Sequence, residues 1–130
     1  MINAYLKAAE YANKLKNHLA KSHSLYCIGN AYTDLEQFQK AEKYYLMALK
    51  DSALIDNPIY INIHHHGLGL TYSRWGQYKK AIKHNKIALK NYRLVGNKLY
   101  EFDVLNNMAV AYNHMSDNQK SIRALVFGIC

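Results

Sequence analysis

Apolar, small and polar positions along this chain recur as a block. The segment LYCIGNAYTDLEQFQKAEKYYLMALK begins at Leu25, and HHGLGLTYSRWGQYKKAIKHNKIALK begins at His65, forty residues later. In this register Gly29 falls on Gly69, Tyr32 on Tyr72, Phe38 on Tyr78, Ala41 on Ala81 and Ala48-Leu49 on Ala88-Leu89. Another step reaches LNNMAVAYNHMSDNQKSIRAL from Leu105, where Ala109, Tyr112 and Ile122 keep the pattern and Asn118 and Ser121 break it. Repetition at such a period marks stacked supersecondary units, each too small to bury its apolar face alone.

Each copy reads as two helices. Small residues at Gly29, Gly69 and Ala109 let the first helix approach its partner closely, and Ala41, Ala48, Ala81 and Ala88 do the same from the second. Large rings alternate with them: Tyr32 and Tyr72 on the first helix, Phe38 and Tyr78 opening the second. A short polar turn separates the two helices of each copy, at Glu36-Gln37, Gly76-Gln77 and Ser116-Asp117. Asp56-Asn57-Pro58 is a helix start signal and Gly96-Asn97 a stop. The spacing predicts helices over 2–16, 19–35, 38–53, 58–75, 78–95, 98–115 and 118–128. The expected fold is therefore all-α, about seven helices in antiparallel hairpins within a single domain 1–130. Forty residues before Tyr45 and Ala48 stand Tyr5 and Ala8, so 1–16 reads as the second helix of a partial repeat. Whole repeats follow at 19–53 and 58–95, and a decayed last one at 98–128.

The order IGNAY through MAL, and again LGLTY through IAL, resembles the tetratricopeptide repeat over about residues 22 to 125. The departure is length, since the common form of that repeat has about 34 residues. SLYCIGNAYTDLEQFQKAEKYYLMAL is similar to the long repeats of the bacterial peptide-pheromone receptors, the Rap, NprR and PlcR group. LNNMAVAY is similar to kinesin light chains and LGN-like adaptors. The resemblance implies a right-handed superhelix that holds a peptide or protein segment, with output supplied by a separate amino-terminal domain of which no likeness is visible here. It implies no enzyme, because Rap-like phosphatase chemistry would need that domain; a non-catalytic remnant of a response-regulator phosphatase is an alternative.

In this family the first helix of each hairpin lines the groove. Counted from the small residue, the groove positions are His23, Tyr26, Asn30, Thr33 and Asp34; then Ile63, His66, Leu70, Ser73 and Arg74; then Asp103, Asn106, Val110, Asn113 and His114. A carboxamide can donate to a peptide C=O and accept from its N–H, which favours Asn30, Asn106 and Asn113 as grips, while Leu70 and Val110 suit apolar side chains. Tyr26, Asp34, His66 and His114 complete the candidate face. Arg74 suits a peptide carboxylate, or else pairs with Asp34 or Asp103. Asp103 and Asn107 stand where a carboxylate clamp of the chaperone-binding kind would need basic residues, which argues against that ligand.

Composition changes this picture little. No apolar stretch reaches the ~20 residues of a membrane span, and Asn3, Lys7 and Glu10 interrupt any leader-like segment. Cys27 and Cys130 have no motif spacing, which suits a reducing compartment, so the expectation is cytoplasmic. Three consecutive histidines, His64-His65-His66, point about 100° apart on a helix and do not converge on one ion, so neither metal nor cofactor is expected. Cys27 and His23 share a helix face, but a thiol beside the close-packed Gly29 reads as an inert small hydrophobe. The net charge of +8 is concentrated in Lys79, Lys80, Lys83, Lys86, Lys90 and Arg93, the outer stripe of one second helix. Without an aromatic platform that stripe reads first as a solvated convex face, and nucleic acid is the alternative ligand. The apolar ending ALVFGIC, with Val126, Phe127 and Ile129, predicts self-association into an oligomer, or a chain that continues in a longer receptor.

Overall fold

A computed structural model describes residues 1–55 and 57–115. Among the described residues six α-helices follow in order: α1 (Ile2–Lys14), α2 (His18–Asp34), α3 (Phe38–Ser52), α4 (Pro58–Trp75), α5 (Tyr78–Val95) and α6 (Lys98–Met115). No strand occurs among the described residues. The chain is thus all-α, and α3 to α6 lie within a residue of where the spacing places them. The expected seventh helix, and with it Val126, Phe127 and Ile129, lies outside the described residues.

The helix ends explain the period. After α1, α2, α4 and α5 the chain closes with the same pair of bonds, the second residue past the turn donating to the carbonyl five back: Asn17 N–H to Ala12 C=O, Gln37 to Tyr32, Gln77 to Tyr72 and Asn97 to Tyr92. This is the Schellman closure, which needs a left-handed residue just before the donor. Those residues are Lys16 (φ 54°), Glu36 (φ 59°), Gly76 (φ 86°) and Gly96 (φ 72°), spaced at multiples of twenty. One helix and its turn take twenty residues, and a hairpin forty. The sequence predicts α1 to run to residue 16; it stops at Lys14 because Lys16 takes this left-handed conformation. At the opposite ends, the Asn17 side chain accepts from Ala20 N–H and the Asn57 side chain from Ile59 N–H, with Pro58 opening α4.

Consecutive helices pack as antiparallel neighbours. Ala41, Ala48, Ala81 and Ala88 are fully buried, as the repeat requires. Tyr45 lies with its ring over Gly29 of α2 and also over Gly67 of α4, and its hydroxyl donates to Asn30 Oδ1. One side chain therefore ties its own hairpin to the next. Gly69 receives Asn85 of α5 in the same way, at the position forty residues after Tyr45. Ala109 departs from expectation: it is exposed, and the stretch that would face it lies outside the described residues. Further bonds join the hairpins, from Tyr72 Oη to Glu42 Oε2 (2.6 Å) and between the hydroxyls of Thr33 and Thr71 (2.8 Å). The cation over an aromatic ring also repeats, Lys40 over Tyr32 at 5.5 Å and Lys80 over Tyr72 at 5.6 Å.

Among the described residues α2, α4 and α6 touch in succession, whereas α3 and α5 make no direct contact. The first helices are therefore the inner row and the second helices the splayed, outer row.

Candidate functional site

The inner row sets side chains in columns, because positions forty apart occupy the same place on successive first helices. Tyr26, His66 and Asn106 form one column, Asn30, Leu70 and Val110 the next, Asp34, Arg74 and His114 a third. Leu70 is 41% exposed and Val110 45%, so two repeat-equivalent apolar side chains face solvent in the middle column. Asn106 and Asn113 are exposed beside them on α6.

Several candidates are held by neighbours. Asn30 is half-buried and uses its carbonyl for Tyr45, leaving its amide N–H groups for a ligand. Tyr26 sits among the rings of Tyr45 (5.9 Å) and His64 (5.4 Å). Arg74 Nη1 lies 3.6 Å from Asp34 Oδ1, an exposed pair of the strength of a surface salt bridge, within about 1 kcal/mol. His66 is half-buried, with Nδ1 3.3 Å from Tyr92 Oη and its ring edge-on to Tyr92 and Tyr100. His114 is exposed and stacks flat on Tyr78 at 5.3 Å. Thr33, expected on this face, is instead buried: its hydroxyl donates to Gly29 C=O and meets Thr71. Three residues beyond Asn30, it has rotated into the α2 to α4 contact.

The three adjacent histidines turn to three different neighbours. His64 is 2% exposed beside Tyr26, and neither of its ring nitrogens has a partner among the described residues. Burial first, then the repulsion that charge on His65 or His23 would exert, lowers its pKa to about 4. His65 and His84 stack at 5.1 Å with their Nδ1 atoms 2.8 Å apart, so one donates to the other. Burial first, then His65, Lys83 and Lys80, lowers His84 to about 4. Burial lowers His65 and His66 as well. All four are thus neutral near pH 7. No group of three or more His, Cys, Asp or Glu among the described residues is arranged to hold a metal. Cys27 Sγ lies 3.6 Å from His23 Nε2, but burial raises the thiol, opposite to what an activated nucleophile needs.

Sequence reasoning missed Gly67 and Asn85. Gly67 accommodates Tyr45 from the preceding hairpin, a contact between copies that comparison of copies does not show. Asn85 is fully buried with its amide unpartnered among the described residues, and its signal was the break in the repeat at the place of Tyr45.

Residues 22–50, from within α2 to near the end of α3, match the family model of the tetratricopeptide repeat. The matched segment contains Gly29, Tyr32, Ala41, Tyr45 and Ala48, the residues that close the first whole hairpin. No curated protein matches the chain. No helix among the described residues is long and apolar enough to cross a membrane.

Proposed function

We propose that this chain is a binding scaffold that holds an extended peptide segment along α2, α4 and α6. Tetratricopeptide repeats mediate protein–protein interactions in general, and the matched hairpin supports that much. The observation that carries the finer reading is the middle column of the inner row. Leu70 and Val110 stay exposed in equivalent positions on adjoining helices, with the Asn30 amide before them and Asn106 beside them. An extended peptide could set apolar side chains on Leu70 and Val110 while the carboxamides bond its main chain. Arg74 would meet a carboxylate by exchanging its weak pair with Asp34.

Similarity of SLYCIGNAYTDLEQFQKAEKYYLMAL to the Rap, NprR and PlcR group makes the ligand-binding part of a cytoplasmic, peptide-responsive regulator the most specific form of this reading. Binding, and not turnover, is its mechanism.

The test is panning of a random heptapeptide phage library on the immobilised chain. Enriched sequences should bind wild type and the Leu94→Asp variant, which changes an exposed apolar residue on the outer row. They should be lost from Leu70→Asp/Val110→Asp. Absence of enrichment, or equal retention by the inner-row variant, would overturn the reading.

A further inference from the structure

Helix α5 carries Lys79, Lys80, Lys83, Lys86, Lys90 and Arg93 and no acidic residue between Tyr78 and Val95. All six basic side chains are exposed. Lys79, Lys83, Lys86 and Lys90 succeed one another by four, three and four residues, which puts them in one stripe rising ~16 Å along the helix. Helix α3 repeats part of the stripe. The position pairs exposed in both helices are Gln39/Lys79, Lys40/Lys80, Lys43/Lys83, Leu46/Lys86 and Lys50/Lys90, and three of these hold lysine in both copies.

A solvated lysine face is ordinarily laced with carboxylates one turn away, because like charges at that spacing destabilise a helix. Here the paired carboxylates work elsewhere, apart from Glu101, which takes Arg93 at the end of the run. Asp34 pairs with Arg74, Asp51 with Lys21 and His18, Glu101 with Arg93 and Lys98, and Glu42 accepts from Tyr72. Among the described residues Lys43, Lys50, Lys79, Lys83, Lys86 and Lys90 form no ion pair. The outer row is thus a line of mutually repelling charges that a polyanion would neutralise.

The surroundings select the polyanion. A specific protein interface needs a buried aromatic or aliphatic anchor; the large apolar residues exposed on α5, Leu94 and Val95, lie at its last turn, off the stripe, and α3 adds only the ringless pair Leu46 and Met47 between Lys43 and Lys50. A single strand needs exposed rings on which bases stack; Tyr72, beside Lys80, is buried, and Tyr44, beside Lys43, is half-buried and already stacked on Tyr32. A duplex backbone needs only cations in a row, and ammonium groups, unlike guanidinium forks, contact phosphate as point charges without reading bases. We propose that the outer ridge of α5, with Lys43 and Lys50 of α3, binds the phosphate backbone of double-stranded nucleic acid independently of its sequence. This surface is separate from the inner row and does not depend on what that row holds.

The experiment is fluorescence anisotropy of the full chain with a labelled mixed-sequence DNA duplex of about 20 base pairs, titrated between 50 and 200 mM KCl. Competitors are a single strand of equal length and vesicles containing phosphatidylserine. Six unpaired lysines neutralising one phosphate each give a slope of about −5.4 in log affinity against log salt, so affinity should fall roughly 1,800-fold across that range. K79Q/K83Q/K86Q/K90Q should weaken binding at least about tenfold at 50 mM KCl and flatten the slope. K7Q/K14Q/K16Q/K98Q, which removes the same charge elsewhere, should weaken it less than about threefold. Circular dichroism of each variant should keep the wild-type helical signal. Equal loss in both variants would assign the binding to net charge and overturn the proposal. No duplex binding at 50 mM KCl, or preference for the single strand or the vesicles, would overturn it as well.

Discussion

Tyr45 and Gly67, on helices of different hairpins, are in contact so close that a Cβ on Gly67 would stand 2.8 Å from the tyrosine Cε1. The ring fills the space that glycine leaves and so fixes the approach of α4 to the first hairpin. Tyr45 is 1% exposed and its ring also lies over Gly29.

Gly67→Ala should therefore destabilise the fold by about 1–2 kcal/mol, the overpacking cost less the helix propensity that alanine gains. Urea midpoints measure it. In the Tyr45→Leu background, where the ring is gone, the same substitution should be neutral or stabilising, and the double-mutant cycle should show the coupling. Equal effects in both backgrounds would mean that the contact does not set the helix approach.

Glu36 and Gly76 occupy the same left-handed place in successive turns, one with a Cβ and one without. Left-handed backbone costs a non-glycine residue about 1–2 kcal/mol, partly offset by the larger unfolded-state entropy of glycine. Glu36→Gly should stabilise by about 0.5–1 kcal/mol and Gly76→Ala should destabilise by about 1 kcal/mol. Thermal denaturation of the two variants should give midpoint shifts of opposite sign.

Within the fold, what comparison of copies reveals and what it conceals differ physically. Gly29 and Gly69 were legible because each contact lies inside one hairpin and recurs forty residues on. Gly67 was not, because its partner Tyr45 belongs to the preceding copy, and the third copy puts Asn107 there. The inner row could be counted from the glycine, which places Tyr26, Asn30, Leu70 and Asn106. Counting fails at Thr33, whose hydroxyl was expected at a ligand and meets Thr71 across the hairpin boundary. Ring contacts such as Tyr78 with His114 depend on the stacking of α5 on α6, a distance no single-helix periodicity carries.

The phenol of Tyr72 donates to Glu42 Oε2 at 2.6 Å and links α4 to α3. Burial, then this bond and the carboxylate charge, raise the phenol above its ordinary range, so the donor keeps its proton throughout the stable pH range. Tyr72→Phe should cost about 1.5 kcal/mol, at the low end for a bond to a charged group because Glu42 is half-buried and water can replace the partner. Glu42→Gln keeps an acceptor and should cost less. A Tyr72→Phe loss that is unchanged in a Glu42→Ala background would contradict the link.

Acid should loosen the chain through its buried histidines. His64 and His84 have folded values lowered to about 4 from an ordinary 6.5, and those of His65 and His66 are lowered too. The unfolded chain therefore binds more protons than the folded one between those values. Stability is fully present above pH 6.5, declines as pH falls below it, and the decline ends near pH 4. For His64, 2% exposed, the change is ~3 kcal/mol, from 1.36 kcal/mol per unit. The groups facing these histidines reinforce the direction: His23 and His65 stand near His64, and Lys80, Lys83 and His65 near His84, all positive when protonated. Asp103 acts in the opposite sense only on His66. Urea midpoints at pH 7.5, 6, 5 and 4.5 should fall progressively. His64→Phe removes two unpartnered buried nitrogens, and should raise the midpoint at pH 5 more than at pH 7.5. An equal gain at both values would show that His64 does not contribute to the acid loss, and a wild-type midpoint constant from pH 7.5 to 4.5 would rule out the whole histidine set.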